Sequence, residues 1–148
     1  MSTPAIEHIH RDTRLQVYWL KRLLAGIIDF IIILFPLVFV DSIFAIIFGP
    51  IPRYYSLVFL AGVVWFAYST LLEGTISTTP GKAILGLKVE PVRGKGILFA
   101  QAAMRNVSRI FGLFLLLDLL LGFITEGDHR QKLMDRVSGT LVVAKEGV

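Results

Sequence analysis

Two charged residues stand where a membrane would make them costly. Arg22 opens an apolar stretch beginning at Leu23, and Asp29 lies inside that stretch. Seven positions separate them, about two turns of 3.6 residues, so a helix brings both side chains out on nearly the same face. A carboxylate within lipid costs about 2.5–3.5 kcal/mol on insertion scales, so such a residue normally faces protein or water and has a partner. In a low-dielectric site it also protonates more readily unless a cation holds it, the property a proton-coupled carrier uses. Asp118 poses the problem more sharply, lying mid-way through Leu115–Leu121 with no Lys or Arg within one turn. It is expected to meet another helix, to carry a proton or to lie at shallow depth, and it is a candidate for an additional ion site.

The elements that must position these groups follow from composition. A chain of 148 residues with 55% hydrophobic and 18% charged residues and a mean hydropathy of +0.71 is too apolar for an ordinary soluble domain. It suffices for three or four spanning elements and one small polar module. The net charge of +4, from 15 Lys+Arg against 11 Asp+Glu, fits cationic loops on the cytoplasmic side of a membrane better than a nucleic-acid surface. The absence of cysteine excludes a disulfide framework, thiol chemistry and a Cys-based metal site.

Residues 1–22 read as an interfacial segment in which Tyr18 and Trp19 precede Lys21 and Arg22. The following apolar run starts too late and is too long for a signal peptide, and is read as a retained helix. His8 and His10 lack further ligands, so no metal is expected there. The first membrane helix is expected over 23–48, bent at Pro36, and the second over 55–72, with Tyr54 and Tyr55 as its aromatic belt and Gly62 allowing close helix approach. A loop and strand segment covers 75–97, with a turn at Pro80-Gly81 and alternation over Leu85, Leu87 and Val89. Residues 98–125 begin as an interfacial amphipathic helix with Gln101, Arg105 and Arg109 on one face, and end in an apolar run, Ile110 to Thr125, short for a full crossing. That run either crosses obliquely or dips in and returns. The tail, 126–148, contains a strand candidate at Gly139–Val143 that could pair with Leu85–Val89.

The fold expected is therefore an all-α integral membrane protein forming a single domain: two transmembrane helices, an amphipathic helix, a third short or re-entrant segment and a small cytoplasmic β element. Four Lys/Arg in residues 1–22 and six in 73–109, against one in the 49–54 loop, put the N-terminus and the central module inside, at a plasma or inner membrane.

Three motifs then resemble one family. R-L-L-A-G-I-I-D (Arg22 to Asp29), T-P-G-K-x-x-x-G-x-K-V (Thr79, Pro80, Gly81, Lys82 and Gly86, ending at Val89) and L-x-D-R-x-S-G-T-x-V-V (Leu133 to Val143, with Asp135, Arg136, Gly139 and Thr140) are similar, in order and spacing, to the signatures of the RDD family. The resemblance covers about residues 15–145. It implies a small integral membrane protein, makes Asp135 the second signature aspartate, and carries cation/proton antiport as its most concrete functional suggestion. Met134 stands where members often carry His, so a proton role for that position does not transfer.

Arg22, Asp29 and Asp135 are accordingly expected to form one buried polar cluster, since a guanidinium fork suits two carboxylates at once. Such a cluster either moves a proton or monovalent cation, or clips the first helix to the tail and fixes the fold. Three segments do not easily enclose an aqueous path, so transport would call for a homo-oligomer in the lipid bilayer. Lys82 is expected to snorkel to lipid headgroups. Thr79-Pro80-Gly81-Lys82-Ala83 lacks the glycine and hydroxyl of a Walker A loop, and Gly127-Asp128-His129 has no accompanying nucleophile. No enzyme activity and no cofactor are expected.

Overall fold

A computed structural model describes residues 12–49, 54–125 and 127–144, with only the backbone of 54–56. The His8/His10 pair, the turn residues Pro50–Arg53, the side chains of Tyr54 and Tyr55, and Lys145 lie outside the described residues.

Helix α1 spans Thr13–Phe48. It begins ten residues before the expected start because Asp12 caps it, accepting the Arg14 N–H at 2.9 Å, and because Tyr18, Trp19 and Arg22 bind the tail as helical residues rather than as a loose interfacial segment. It continues through Pro36. Only Ala25, Asp29 and Ile33 are buried along it, an i, i+4, i+8 stripe, while Phe35 and Ile46 are exposed. A helix that buries one narrow stripe, including an acid, and exposes large apolar side chains is built for lipid rather than water.

Helix α2 covers Tyr54–Ile76, and both helices are long and apolar enough to cross a membrane. Pro80-Gly81 opens the five-residue helix α3, Pro80–Ile84, instead of making a turn. Proline is suited to a first helical position because its missing N–H is an orphan there anyway. Strand β1, Leu87–Pro91, pairs antiparallel with β2, Thr140–Ala144, in the register Val89↔Val142. The strands sit slightly later in sequence than their alternation predicts. Leu87, Val89 and Val142 point into a small core with Ala25, Ile97 and Ala102.

Helix α4, Phe99–Asn106, and a 3-10 turn, Val107–Arg109, lead into α5, Gly112–Ile124. Phe99 packs where a Cβ on Gly74 would meet its ring at 2.7 Å, and the backbone of Ile110 packs on Gly62. The α4 segment therefore runs antiparallel to α2 from its end toward its middle, with Gly62 providing the close approach its sequence suggested. A bend of 107° follows, and α5 leads back until Phe123 meets Trp19 at a ring separation of 4.7 Å. Because β1 precedes this bent pair and β2 follows it, both its ends open onto the same sheet. At 13 residues α5 extends only about 20 Å, short of a bilayer core of about 30 Å. The third segment has re-entrant geometry. The short helix α6, Leu133–Val137, then places the last signature motif beside α4 and α5.

Candidate functional site

The first signature residue and the last are in direct contact. Arg22 Nη2 lies 2.6 Å from Asp135 Oδ2, with side chains 9% and 0% exposed. The other Arg22 nitrogen donates to the Arg130 carbonyl at 2.7 Å, and the guanidinium lies over the Trp19 ring, 4.8 Å from its centroid. Tyr18 donates its hydroxyl to the Val142 carbonyl at 2.8 Å, and Trp19 Nε1 donates to the His129 carbonyl at 3.1 Å. One turn of α1 thus grips the tail at four places.

Asp29 is not part of that contact, contrary to the single three-residue cluster expected from sequence. It is fully buried and takes the Thr79 hydroxyl at 2.5 Å, the Gly81 N–H at 2.8 Å and the Tyr68 hydroxyl at 3.4 Å. The central motif therefore supplies a neutral cradle for the first aspartate, and Gly81 is required because a Cβ there would collide with the Ala25 carbonyl and the Asp29 carboxylate. The seven-residue spacing does place Arg22 and Asp29 on one face, but each is claimed by a different motif.

Between these contacts lies a residue that sequence reasoning placed merely at the end of a span. Glu73 is fully buried. Lys82 pairs with its Oε1, Arg105 Nε approaches its Oε2 at 3.1 Å, and Asn106 Nδ2 donates to the same oxygen at 2.9 Å. Arg105 Nη2 also lies 3.2 Å from Asp135 Oδ1. Both Arg105 contacts lie within ion-pair distance but lack hydrogen-bond geometry, so they act through charge. A chain of charges therefore runs from Arg22 through Asp135 and Arg105 to Glu73 and Lys82. Lys82 is only 5% exposed and does not reach headgroups, because Glu73 draws it inward.

Arg105 and Arg109 are likewise buried, at 1% and 8% exposure, rather than forming a wet interfacial face. Met104 and Val107 point outward instead. The amphipathic pattern was legible; its direction reverses because the surroundings are apolar and the charges find partners inside. Arg109 bonds Ser69 Oγ and stacks over Trp65 at 5.0 Å.

Asp118 has a cation after all. Lys132 Nζ lies 2.5 Å from its Oδ2, Ser108 donates to the same oxygen at 2.8 Å, and the Met134 N–H donates to Oδ1 at 2.7 Å. Its partner is fourteen positions away, outside any window that searches one helical turn. Gly122 lets the segments meet, since a Cβ there would stand 2.7 Å from the Lys132 Cα. Arg136 donates to the carbonyls of Thr125 at 3.1 Å and Gly122 at 2.9 Å, tying α6 to the end of α5. Gly86 and Gly139 adopt positive φ, 68° and 63°, at the turns into β1 and β2, which explains their place in the motifs. Thr140 is buried and its carbonyl accepts from Gln131 Nε2 at 2.7 Å.

The electrostatics follow from this packing. Burial alone would raise the Asp135 carboxyl, but Arg105, Arg22 and Lys132 outweigh it and hold the group well below the usual carboxylate range. Burial lowers Lys132 despite Asp135 and Asp118 nearby. Burial also dominates at Lys82, and with Arg105 and Arg109 adding repulsion against the attraction of Glu73, its ammonium is pushed down to about 7. Among the described residues no group of three or more His, Cys, Asp or Glu side chains could hold a metal ion.

The arrangement gathers the three motifs into one connected buried network, and the comparisons agree with it. The model of the RDD family matches residues 17–139, a range that contains Arg22, Asp29, the whole central motif, Asp135 and Gly139. No curated protein and no solved structure matches the chain. With a family match over most of its length, this membrane protein belongs to the RDD family.

Proposed function

We propose that the chain is a non-catalytic membrane assembly domain, in which the Arg22–Asp135 pair and the Asp29 cradle clip the polar β module onto two membrane helices. The observation that carries this reading is that every buried carboxylate already has its partners inside the protein. Asp29 accepts from Thr79 and Gly81, Glu73 from Lys82 and Asn106, Asp118 from Lys132, Ser108 and Met134, and Asp135 from Arg22. Five cationic side chains (Arg22, Lys82, Arg105, Arg109 and Lys132) surround these four carboxylates, so the interior already carries a surplus of positive charge. Such a surplus repels a transported cation. Buried ionic groups of this kind specify which segments meet without doing chemistry. The positive-inside bias puts the N-terminus and the β module in the cytoplasm, at a plasma or inner membrane.

A second reading is cation/proton exchange, favoured by one observation: Lys82, at about 7, sits where it could release and recover a proton near neutral pH. Exchange would still require an aqueous path, which three membrane segments supply only as a homo-oligomer.

Ion-driven pH change in proteoliposomes separates the two. On the assembly reading, a sodium or potassium gradient gives traces that superimpose on those of protein-free vesicles. An ion-dependent pH change that disappears in Asp29→Asn or Lys82→Met would replace it with the exchange reading.

A further inference from the structure

The network described above leaves one polar cavity unused, at the outer end of the sheet. It has a volume of about 380 Å³ and is lined by Val92, Arg93, Gln101, Gln131, Arg136 and Gly139. Two of these are guanidinium side chains, two are carboxamides and none is acidic. Asp128, the nearest acid in sequence to the cluster, turns its carboxylate to the Arg130 N–H at 2.9 Å. The Arg136 guanidinium is held in place by backbone carbonyls of Thr125 and Gly122, so its position is fixed before any ligand arrives. Gln131 uses its Nε2 on the Thr140 carbonyl, and Gln101 uses its Oε1 on the Leu98 N–H at 3.1 Å, which fixes both amides. Arg93 is exposed and stands on the turn that leads out of β1.

The surroundings match a membrane surface. Val92, Leu98 and Val137, neighbours of the lining residues in sequence, are 59%, 68% and 55% exposed, and Phe99 beside Leu98 packs at the end of α2. A cationic, amide-lined recess ringed by exposed apolar side chains suits a group with a phosphate at its head and hydrocarbon behind it. We propose that this cavity binds a phosphate group, and that the phosphodiester of an anionic phospholipid headgroup is its source, with Arg93 closing on the phosphate against the fixed Arg136 fork. This site is independent of whether the buried charge network is a clip or a carrier.

The test uses the purified full-length protein in nanodiscs of phosphatidylcholine with and without phosphatidylglycerol, read by native mass spectrometry of retained lipid and by thermal midpoint. Inorganic phosphate on the protein in zwitterionic nanodiscs forms the second arm. Phosphatidylglycerol should be retained, and Arg93→Gln should weaken retention by about tenfold, the loss of one charge-assisted contact. Arg93→Lys should recover part of it. Lys95→Gln, which removes an exposed charge from the same turn without touching the cavity, should leave retention unchanged. Saturation by inorganic phosphate without phosphatidylglycerol retention keeps the phosphate site but moves its source to a soluble anion. Equal losses for Arg93→Gln and Lys95→Gln, or binding of neither phosphate source, overturn the proposal.

Discussion

Gly81 donates its backbone N–H to the Asp29 carboxylate at 2.8 Å across fifty-two residues of sequence. The contact needs a residue without a side chain, and it fixes the depth at which α3 meets α1. It also explains how a helix can carry a buried acid without a cation in contact: the negative charge is met by an amide and two hydroxyls. A neutral cradle of fixed donors is a recurrent way to hold a carboxylate ionised.

Gly81→Ala should therefore cost about 1–3 kcal/mol through overpacking, because neither the Ala25 carbonyl nor the Asp29 carboxylate can withdraw far. Its thermal midpoint in detergent should fall clearly below that of Gly26→Ala, a helical glycine whose added Cβ meets nothing within 4 Å. Equal midpoints would contradict the close packing of α3 on α1.

Asp135→Asn should destabilise by about 3–5 kcal/mol, since it leaves Arg22 and Arg105 buried beside a neutral amide. Arg22→Lys should be damaging too, because an ammonium cannot serve Asp135, the Arg130 carbonyl and the Trp19 face together. Denaturation in mixed micelles, read by tryptophan fluorescence, measures both. Full stability of Arg22→Lys would show that charge alone matters there.

The Asp118–Lys132 pair invites a double-mutant cycle. Each single change, Asp118→Leu or Lys132→Met, should cost about 3–5 kcal/mol by stranding its partner, while the double change should cost much less than their sum. Additive losses would mean that the two groups do not depend on each other.

Stability should also depend on pH through Lys82. Its ammonium titrates near 7 in the folded protein and near 10.5 when unfolded. Between those values the unfolded chain binds the extra proton, so stability climbs with pH across that window and flattens below about 7. Glu73 on α2, Arg105 on α4 and Arg109 in the 3-10 turn face this group. Asp135 acts in the opposite region: its depressed carboxyl contributes stability that is fully present above about 4 and is lost as acid protonates it. Unfolding curves from pH 6.5 to 9 should show the upward slope in wild type and its absence in Lys82→Met. Parallel slopes for the two proteins would refute the Lys82 contribution.

Much of this was legible in the sequence. The two membrane helices, the antiparallel strand pair and the three motifs follow from apolar length, two-residue alternation and spacing. What escaped were pairings between residues far apart in the chain. Lys132 could not be assigned to Asp118, nor Lys82 to Glu73, by searching one helical turn, and no local pattern says that Arg105 faces inward. A sequence shows that a charge is expensive where it lies; which distant group relieves it depends on how the re-entrant α4–α5 pair folds back. Glu73 left the faintest signal, since an acid at the end of a span looks like an interfacial stop.

The clip itself is tested most directly by hydrogen exchange of Arg22→Gln in nanodiscs. The β1 and β2 amides should lose protection together, as one unit released from α1, while amides in the middle of α2 keep theirs. Unchanged protection across the sheet would contradict the account, because the β module would then be held in place without the pair that joins the first signature residue to the last.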